Sequence, residues 1–146
     1  MLDSSTYTRY IAAGSPYTPA IVLIRLAADA AECVRCRVAE NPLAPLEILR
    51  LLLNDKSSEV RASLSENISL PNELLAELAF DDSADVRYTL AENANTPEHL
   101  LIQLCADENP YVSERAKHTR LRIQAISMPR PGGDILTRKV DKRQVG

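Results

Sequence analysis

The sequence predicts an all-α fold, an α-solenoid of tandem 26-residue repeats with two helices each and no sheet. One phrase is written three times at that interval: VRCRVAEN from Val34, VRASLSEN from Val60 and VRYTLAEN from Val86. The composition agrees, because a chain of 146 residues with only 4 Gly and 4% aromatic residues, rich in Leu and Ala, favours helices over strands. Self-similarity at a fixed period of about 20–50 residues is the signature of repeat architectures.

Six columns of residues keep the 26-residue step in one register, which a chance similarity in composition does not produce. Two short helices with one apolar stripe each cannot bury those stripes alone, so consecutive units must stack and cover each other. The columns comprise Val34, Val60, Val86 and Val112; Arg9, Arg35, Arg61 and Arg87; Pro19, Pro45, Pro71 and Pro97; Leu23, Leu49, Leu75 and Leu101; Leu26, Leu52, Leu78 and Leu104; and Asp29, Asp55, Asp81 and Asp107.

The first helix of each unit is predicted to begin after a capping residue, such as Ser57, Ser83 or Asn109. Val60 and Leu64 are four residues apart and share one side of this helix, which we expect to face the core. An asparagine is then expected to end the helix, because Asn tolerates the left-handed conformation and its side chain can bond nearby backbone. These asparagines are Asn41, Asn67 and Asn93.

A second helix is predicted three or four residues later, opened by a proline, with Thr96 as the N-cap of the copy at Pro97. Its apolar residues come in groups such as Leu74, Leu75 and Leu78, and it is expected to end near the aspartate column. The prolines that open this helix are Pro45, Pro71 and Pro97.

The chain divides into a helical-repeat domain, residues 1–127, and a basic tail, residues 128–146. After Asn109 the helical spacing continues without a proline break until Pro129, which predicts one longer capping helix over 110–127. The tail combines paired Pro and Gly with dense charge and is predicted to be flexible. Residues 1–113 hold 8 Lys and Arg against 17 Asp and Glu, whereas residues 114–146 hold 9 against 3. An acidic body with a basic end is typical of an interaction tail.

The pattern VRxxLAEN, a Pro-led helix of the ELL type, and then Asp and VR again resembles the leucine-rich repeat variant (LRV) family, whose members are related in style to HEAT and armadillo repeats. The resemblance covers about Tyr7 to Arg120, four units with a fifth begun. It implies a right-handed superhelix in which α-helices alternate with shorter, sometimes 3₁₀, helices. The unit here is slightly longer than the family's usual one, so the first helix is expected to be a true α-helix.

The recurrent arginines and aspartates suggest either a structural ladder or a ligand-binding stripe. An Arg that donates to Asp side chains or to helix-end carbonyls of the adjacent unit would link the units along the stack. The alternative is a stripe that binds phosphate or carboxylate. Recurrence in every unit favours the ladder, because contacts between neighbours set the stability of a solenoid. The predicted ladder residues are Arg9, Arg35, Arg61, Arg87, Asp29, Asp55 and Asp81.

Two further columns are candidates for binding a partner. The asparagines are expected to terminate helices, with binding of an extended peptide's backbone as the alternative. A Glu at the C-terminal end of a helix is disfavoured by the helix dipole, so the Glu before each Asn has no evident stabilising reason to recur. We weigh a solvated face equally against an acidic ridge with carboxylates one helix layer, about 8–10 Å, apart. The candidate partner-binding residues are Glu40, Glu66, Glu92, Asn41, Asn67 and Asn93.

No catalytic or metal-binding chemistry is predicted. Cys33 and Cys36 form a CxxC motif on one side of a helix, but a zinc or iron–sulfur site needs about four ligands and the sequence has no second CxxC. GxSxG, HExxH and Gly-rich phosphate-loop motifs are missing, and neither His99 nor His118 has a placed partner. We therefore expect no enzymatic activity, no cofactor and no metal.

The predicted function is a non-enzymatic scaffold or adaptor that binds an unidentified partner protein along the solenoid surface, with an inhibitor or immunity protein as one variant. The alternative is nucleic-acid binding through the basic C-terminal helix and tail, which a steep salt dependence would reveal. Because the sequence has no long apolar run and no signal peptide, and its 3 cysteines are an odd number, we expect a cytoplasmic protein without a membrane segment. The candidate nucleic-acid-binding residues are Arg115, Lys117, Arg120, Arg122, Arg138, Lys139, Lys142 and Arg143.

Overall fold

The computed structural model describes residues 2–128, and within that range the chain forms nine helices and no strand. The prediction of an all-α fold is therefore confirmed for this part of the chain. All nine are α-helices, so none of the described second helices takes the 3₁₀ form that the family resemblance allows. In chain order they are α1 (Ser4–Gly14), α2 (Ala20–Leu26), α3 (Glu32–Glu40), α4 (Leu46–Leu52), α5 (Ser58–Leu64), α6 (Asn72–Leu78), α7 (Ala84–Glu92), α8 (Glu98–Leu104) and α9 (Pro110–Ser127).

Each even-numbered helix begins directly after a proline of the repeat column, which occupies the N-cap position. Proline suits this position because the N-cap has extended backbone and contributes its carbonyl, while a missing amide hydrogen costs nothing there. The prediction that Thr96 caps α8 is wrong, since Pro97 takes that role. The buried Thr96 hydroxyl instead donates to the Leu90 carbonyl, 2.8 Å away, and so bonds the loop to the end of the preceding helix.

The three capping residues that the sequence indicates are the N-caps of α5, α7 and α9, although not all of them make a cap bond, and α3 begins after Ala31, which has no capping side chain. The Ser57 side chain accepts the amide hydrogen of Glu59 at 3.2 Å, and Asn109 accepts that of Tyr111 at 2.9 Å. Ser83 is the N-cap of α7, but its side chain makes no cap hydrogen bond. Side-chain caps therefore help to set the starts of α5 and α9.

The odd-numbered helices pack against each other in chain order, α1 on α3, α3 on α5, α5 on α7 and α7 on α9, and each even-numbered helix packs on the odd-numbered helix that follows it. The core lies between these helices, where the valine and leucine columns meet. Val34, Val60 and Val86 are fully buried, and Leu52 and Leu78 are each 1% exposed. Burial of one such side chain stabilises the fold by about 1.5–3 kcal/mol, so the repeated columns contribute substantially to stability.

The last described helix differs from the others in its length, 18 residues. Its first half packs on both α7 and α8 through Val112, Ala116 and Thr119, and its second half is mostly exposed. The predicted basic tail lies outside the described residues, apart from Met128. Between residues 2 and 128, no helix combines the length and the apolar character needed to cross a bilayer.

Candidate functional site

Three arginines of the repeat column, Arg35, Arg61 and Arg87, each join an aspartate side chain to the backbone of the preceding unit. Arg35 Nε donates to Asp55 Oδ2 at 2.7 Å, and its Nη2 donates to Asp55 Oδ1 at 3.1 Å, which makes a bidentate pair. Arg35 Nη1 donates to the backbone carbonyl of Asp29, 2.9 Å away. The side chains of Arg35 and Asp55 are only 8% and 9% exposed. Because the Arg35 guanidinium already donates to a carboxylate and to a carbonyl, few of its N–H groups are left to bind a phosphate. The geometry therefore favours a structural ladder over a phosphate-binding stripe.

The same arrangement recurs along the chain, and we call it the Arg–Asp ladder. Arg61 and Arg87 each repeat the bidentate pair with the aspartate 20 residues later and the bond to the earlier carbonyl. Arg9, in the first unit, pairs with its aspartate at 2.6 Å and turns its other donors to the hydroxyls of Ser5 and Thr6. Asp107 belongs to the ladder although the predicted set ended at Asp81. The four pairs are Arg9–Asp29, Arg35–Asp55, Arg61–Asp81 and Arg87–Asp107.

The ladder lowers the pKa of its carboxyl groups. For Asp107, the hydrogen bonds from Arg87 are the largest cause and outweigh burial, which acts in the opposite direction. For Asp55, burial raises the pKa, but hydrogen bonds from Arg35 and from the backbone amide of Ser57 together outweigh it, so the pKa is again lowered. The pKa of each ladder arginine is raised, chiefly by the hydrogen bond to its aspartate. Both partners are therefore charged at neutral pH.

The asparagine column makes a second set of contacts between units. Asn67 Nδ2 donates to the carbonyls of Ala39 and Asn41, at 2.7 and 2.9 Å, and its Oδ1 accepts the amide hydrogen of Ser69 at 2.9 Å. Asn41 makes the equivalent bonds one unit earlier, and Asn93 also donates to the unit before it. Asn41 and Asn67 are 2% and 4% exposed. Binding of a partner's backbone by these amides stays a prediction, but at these two positions both amide hydrogens are already engaged.

Helix termination is not the shared property of this column. Asn41 and Asn93 directly follow α3 and α7, whereas α5 ends at Leu64, three residues before Asn67. The backbone of Asn41 is extended, with φ −72° and ψ 118°, and not left-handed as expected. What all three asparagines share is the bond from the side-chain amide to a carbonyl of the preceding unit.

The glutamates of the predicted ridge, Glu40, Glu66 and Glu92, lie on one surface together with Arg115. Along each odd-numbered helix, four residues at positions i, i+3, i+4 and i+7 share one side and none of them is buried; the fourth residue of the α5 set, Glu66, lies just beyond the helix end. Because the odd-numbered helices pack side by side, we treat the five stripes as one surface and call it the odd-helix face. Its residues are Tyr7, Tyr10, Ile11 and Gly14; Cys33, Cys36, Arg37 and Glu40; Glu59, Ala62, Ser63 and Glu66; Asp85, Tyr88, Thr89 and Glu92; and Tyr111, Glu114, Arg115 and His118.

An arginine of α3 crosses this face toward α1. Arg37 lies over the ring of Tyr10, with 5.1 Å from Cζ to the ring centroid, and its Nη1 donates to Glu40 at 2.7 Å. Gly14 occupies the position that Glu holds in the next three units, and a Cβ there would lie only 2.4 Å from Arg37 Nη2. Because residue 14 is a glycine, there is space beside it for the Arg37 guanidinium.

An arginine of α9 makes a related contact at the other end of the face. Arg115 lies over the ring of Tyr88 at 5.2 Å, and its Nη1 is 3.3 Å from Glu92 Oε1. A guanidinium over a tyrosine ring gains from the ring quadrupole in addition to the ion pair. Of the three glutamates of the predicted ridge, Glu40 and Glu92 are thus paired with arginine, while Glu66 has no ion-pair partner within 4 Å among residues 2–128.

The odd-helix face is acidic, and its residues line three cavities in the described part of the chain, one of them, of about 350 Å³, beside Asp85, Tyr88 and Tyr111. Six carboxylates stand against the guanidinium groups of Arg37 and Arg115. A cavity of about 630 Å³ lies at the α7–α9 end, and one of about 230 Å³ lies between the C-terminal ends of α5 and α7. The larger is lined by Tyr88, Pro110, Tyr111, Glu114, Arg115 and His118, and the smaller by Glu66, Thr89, Glu92, Asn93 and Asn95.

The basic residues of the nucleic-acid alternative are largely engaged where they are described. Three of the four on α9 form ion pairs with carboxylates, at 3.3, 2.9 and 3.5 Å. Arg122 lies on the exposed second half of that helix. Arg138, Lys139, Lys142 and Arg143 lie outside the described residues. The three pairs are Arg115–Glu92, Lys117–Glu114 and Arg120–Glu98.

The cysteines of α3 lie on the odd-helix face without further ligands beside them. Cys33 and Cys36 are both half-buried free thiols. Burial raises the pKa of the Cys36 thiol, which keeps it protonated and weakly nucleophilic at neutral pH. Within residues 2–128, no group of three or more His, Cys, Asp or Glu side chains is placed to hold a metal ion.

Sequence reasoning missed the tyrosine–arginine contacts, although a signal for them was present. Tyr10 precedes Arg37 by 27 residues, and Tyr88 precedes Arg115 by the same interval, which is one unit and one residue. Two residue types that recur as a pair at that offset indicate contact between neighbouring units.

Comparison of the chain with models of protein families, with curated proteins and with solved structures found no match.

Proposed function

We propose that this chain is a non-enzymatic protein-binding module: a right-handed α-solenoid of tandem 26-residue, two-helix units whose odd-helix face binds a basic, extended segment of a partner protein. The observation that carries the proposal is the composition of that face. Six carboxylates lie there beside the four tyrosines Tyr7, Tyr10, Tyr88 and Tyr111, all on packed helices. Tyrosine supplies large, rigid contact area together with a hydrogen-bonding hydroxyl, which suits a binding interface.

The contacts between units support the solenoid. Odd-numbered helices pack in chain order, and both the Arg–Asp ladder and the asparagine column link each unit to its neighbour. A structure held by nearest-neighbour contacts of this kind can present an extended surface without a closed core. The repeat domain in this proposal covers residues 1–127, with residues 128–146 as an appended basic segment.

The accessible surface, and not the ladder, is the place for partner recognition. The ladder groups are buried and already paired, so a partner would have to break them to bind. The carboxylates of the odd-helix face include Glu59 and Asp85, which are exposed. A net negative surface attracts a basic segment and repels the phosphates of a nucleic acid, so the protein partner takes precedence over the nucleic-acid alternative.

Site-specific photo-crosslinking tests the proposal. A photoreactive amino acid would replace Ser63 on the odd-helix face or, as the matched control, Glu73 on α6, whose side chain is 82% exposed. In extracts of the cells from which the chain comes, we expect a discrete protein adduct from position 63 that a basic peptide displaces and nuclease treatment leaves unchanged. Equal adducts from both positions, or adducts that nuclease removes, would contradict the proposal.

A further inference from the structure

The two arginines of the odd-helix face occupy the same column of the repeat, and the two positions between them in that column have short side chains. Arg37 and Arg115 are three units apart, and each guanidinium lies over the tyrosine of the preceding odd-numbered helix beside a glutamate of the Glu column. In the two units between them the column holds Ser63 and Thr89, which cannot reach such a position. The central part of the face thus keeps the acidic column without an arginine of its own.

Of the two central glutamates, Glu92 is paired with Arg115, whereas Glu66 has no ion-pair partner within residues 2–128. Glu66 lies just beyond the C-terminal end of α5, where the helix dipole disfavours a negative charge. Among residues 2–128, no Lys, Arg or His side chain forms an ion pair with it. Glu92 lies at the end of α7 and holds the Arg115 guanidinium on the side toward α9. On the side toward α5, Glu92 and Glu66 line the same open surface pocket of about 230 Å³.

We propose that this cavity, between Glu66 and Glu92 with Thr89 beside them, is a receptor site for one arginine side chain of the partner. The proposal deepens the proposed function and rests on it. The partner's guanidinium would take the position that Arg37 and Arg115 fill at the ends of the face. The tyrosine position of this unit holds Ala62, which packs against the core and does not line the cavity, so the two carboxylates and not an aromatic ring would hold the guanidinium there.

The chemistry of the site selects arginine over lysine. Two carboxylates on neighbouring helix layers face one cavity, and a planar guanidinium can donate to both of them at once through different edges. An ammonium group is a compact charge on a flexible stem and is more strongly hydrated, so it loses more on leaving water and bridges the two carboxylates less well. A neutral side chain would leave Glu66 without an ion-pair partner among residues 2–128, and Glu92 with Arg115 alone.

A peptide titration followed by two-dimensional amide NMR tests the site directly. The probe is a capped Gly-Gly-Arg-Gly-Gly peptide, and its matched control carries citrulline, which has nearly the same shape but no charge. We expect saturable shifts centred on the amides of Glu66, Thr89 and Glu92, with binding of citrulline weaker by about three- to tenfold. Equal binding of the two peptides, or no shift at these amides, would overturn the proposal.

A substitution within the chain tests the geometry without any ligand. Thr89→Arg should place a guanidinium in the cavity, raise the melting temperature and abolish the shifts with the arginine peptide. The gain should disappear in the background of Glu66→Gln, whereas Glu77→Gln on the exposed side of α6 should leave it unchanged. If the gain is the same in both backgrounds, the site is not as described.

The results separate this inference from the function on which it rests. Shifts that move instead to Tyr88 and Tyr111 would overturn the arginine site and leave binding at the odd-helix face intact. A basic peptide that shifts no amide of the odd-helix face would overturn both.

Discussion

Replacement of Arg35 by methionine should cost about 3–5 kcal/mol of unfolding free energy, the range for removal of one partner of a buried ion pair. The methionine keeps the apolar stem but removes the bonds to both oxygens of Asp55 and to the Asp29 carbonyl. The Asp55 carboxylate, 9% exposed, would keep only the backbone amide of Ser57 as a partner, at 2.9 Å. Against a typical total stability of about 5–15 kcal/mol, such a loss is large.

Urea unfolding followed by circular dichroism at neutral pH measures this loss. Arg50→Met is the matched control, because Arg50 is 52% exposed and its nitrogen is 3.8 Å from the carboxylate of Glu73. The control should change the unfolding free energy by no more than about 0.5 kcal/mol. Arg35→Lys should fall between the two, since it keeps the charge but cannot reproduce the bidentate geometry. If Arg35→Met and Arg50→Met cost the same, the ladder is not the stabilising link between units.

Three further outcomes follow from the same contacts. Asn67→Ala should cost about 2–4 kcal/mol in urea unfolding, because it leaves two carbonyls and one amide without partners, while Asn95→Ala at an exposed position should cost no more than about 0.5 kcal/mol. Leu78→Ala, in the core and 1% exposed, should cost about 2–5 kcal/mol in the same assay, and a value under about 1 kcal/mol would contradict its core position. The lowered pKa of Asp107 stabilises the folded state above the unfolded value of about 3.9, and this contribution is lost as the pH falls further through the lowered pKa, so Asp107→Asn should reduce stability at pH 7 and flatten its decline below about pH 4.

The sequence predicted the helices well because their signals are local. The proline column marks the start of every even-numbered helix, and the spacing after Asn109 predicted a helix over 110–127 where α9 runs from Pro110 to Ser127. Thr96 shows the limit of such reasoning. A threonine before a proline has the composition of a cap, but its hydroxyl finds the Leu90 carbonyl, which only the fold brings near.

The sequence identified the residues that link the units, but it did not show which groups each of them contacts. The sequence identified the arginine and aspartate columns, but the direction of each bond depends on how far one helix is displaced from the next. Arg61 in fact reaches forward to Asp81 within its own unit and backward to the carbonyl of Asp55. The asparagines were assigned to helix ends because a local role is visible in sequence, whereas the 28-residue separation between Asn67 and Ala39 is not.

Columns that are the same in every unit and columns that differ between units have different roles in this chain. A residue that is repeated in each unit, such as the ladder arginine, makes the same contacts in every unit. For the same reason, it cannot make a partner prefer one unit over the next. The recurrent Glu column has this limitation, because a segment bound only by Glu40, Glu66 and Glu92 could shift by one unit at little cost. To bind in a single register, a partner must therefore contact columns whose residues differ between units. On the odd-helix face these are the positions where arginine at the ends gives way to Ser63 and Thr89 in the centre, and where tyrosine gives way to smaller side chains. In the proposed complex, Arg37 and Arg115 already occupy the outer positions of the arginine column, and the cavity beside Thr89 would receive the partner's arginine, which would set the register.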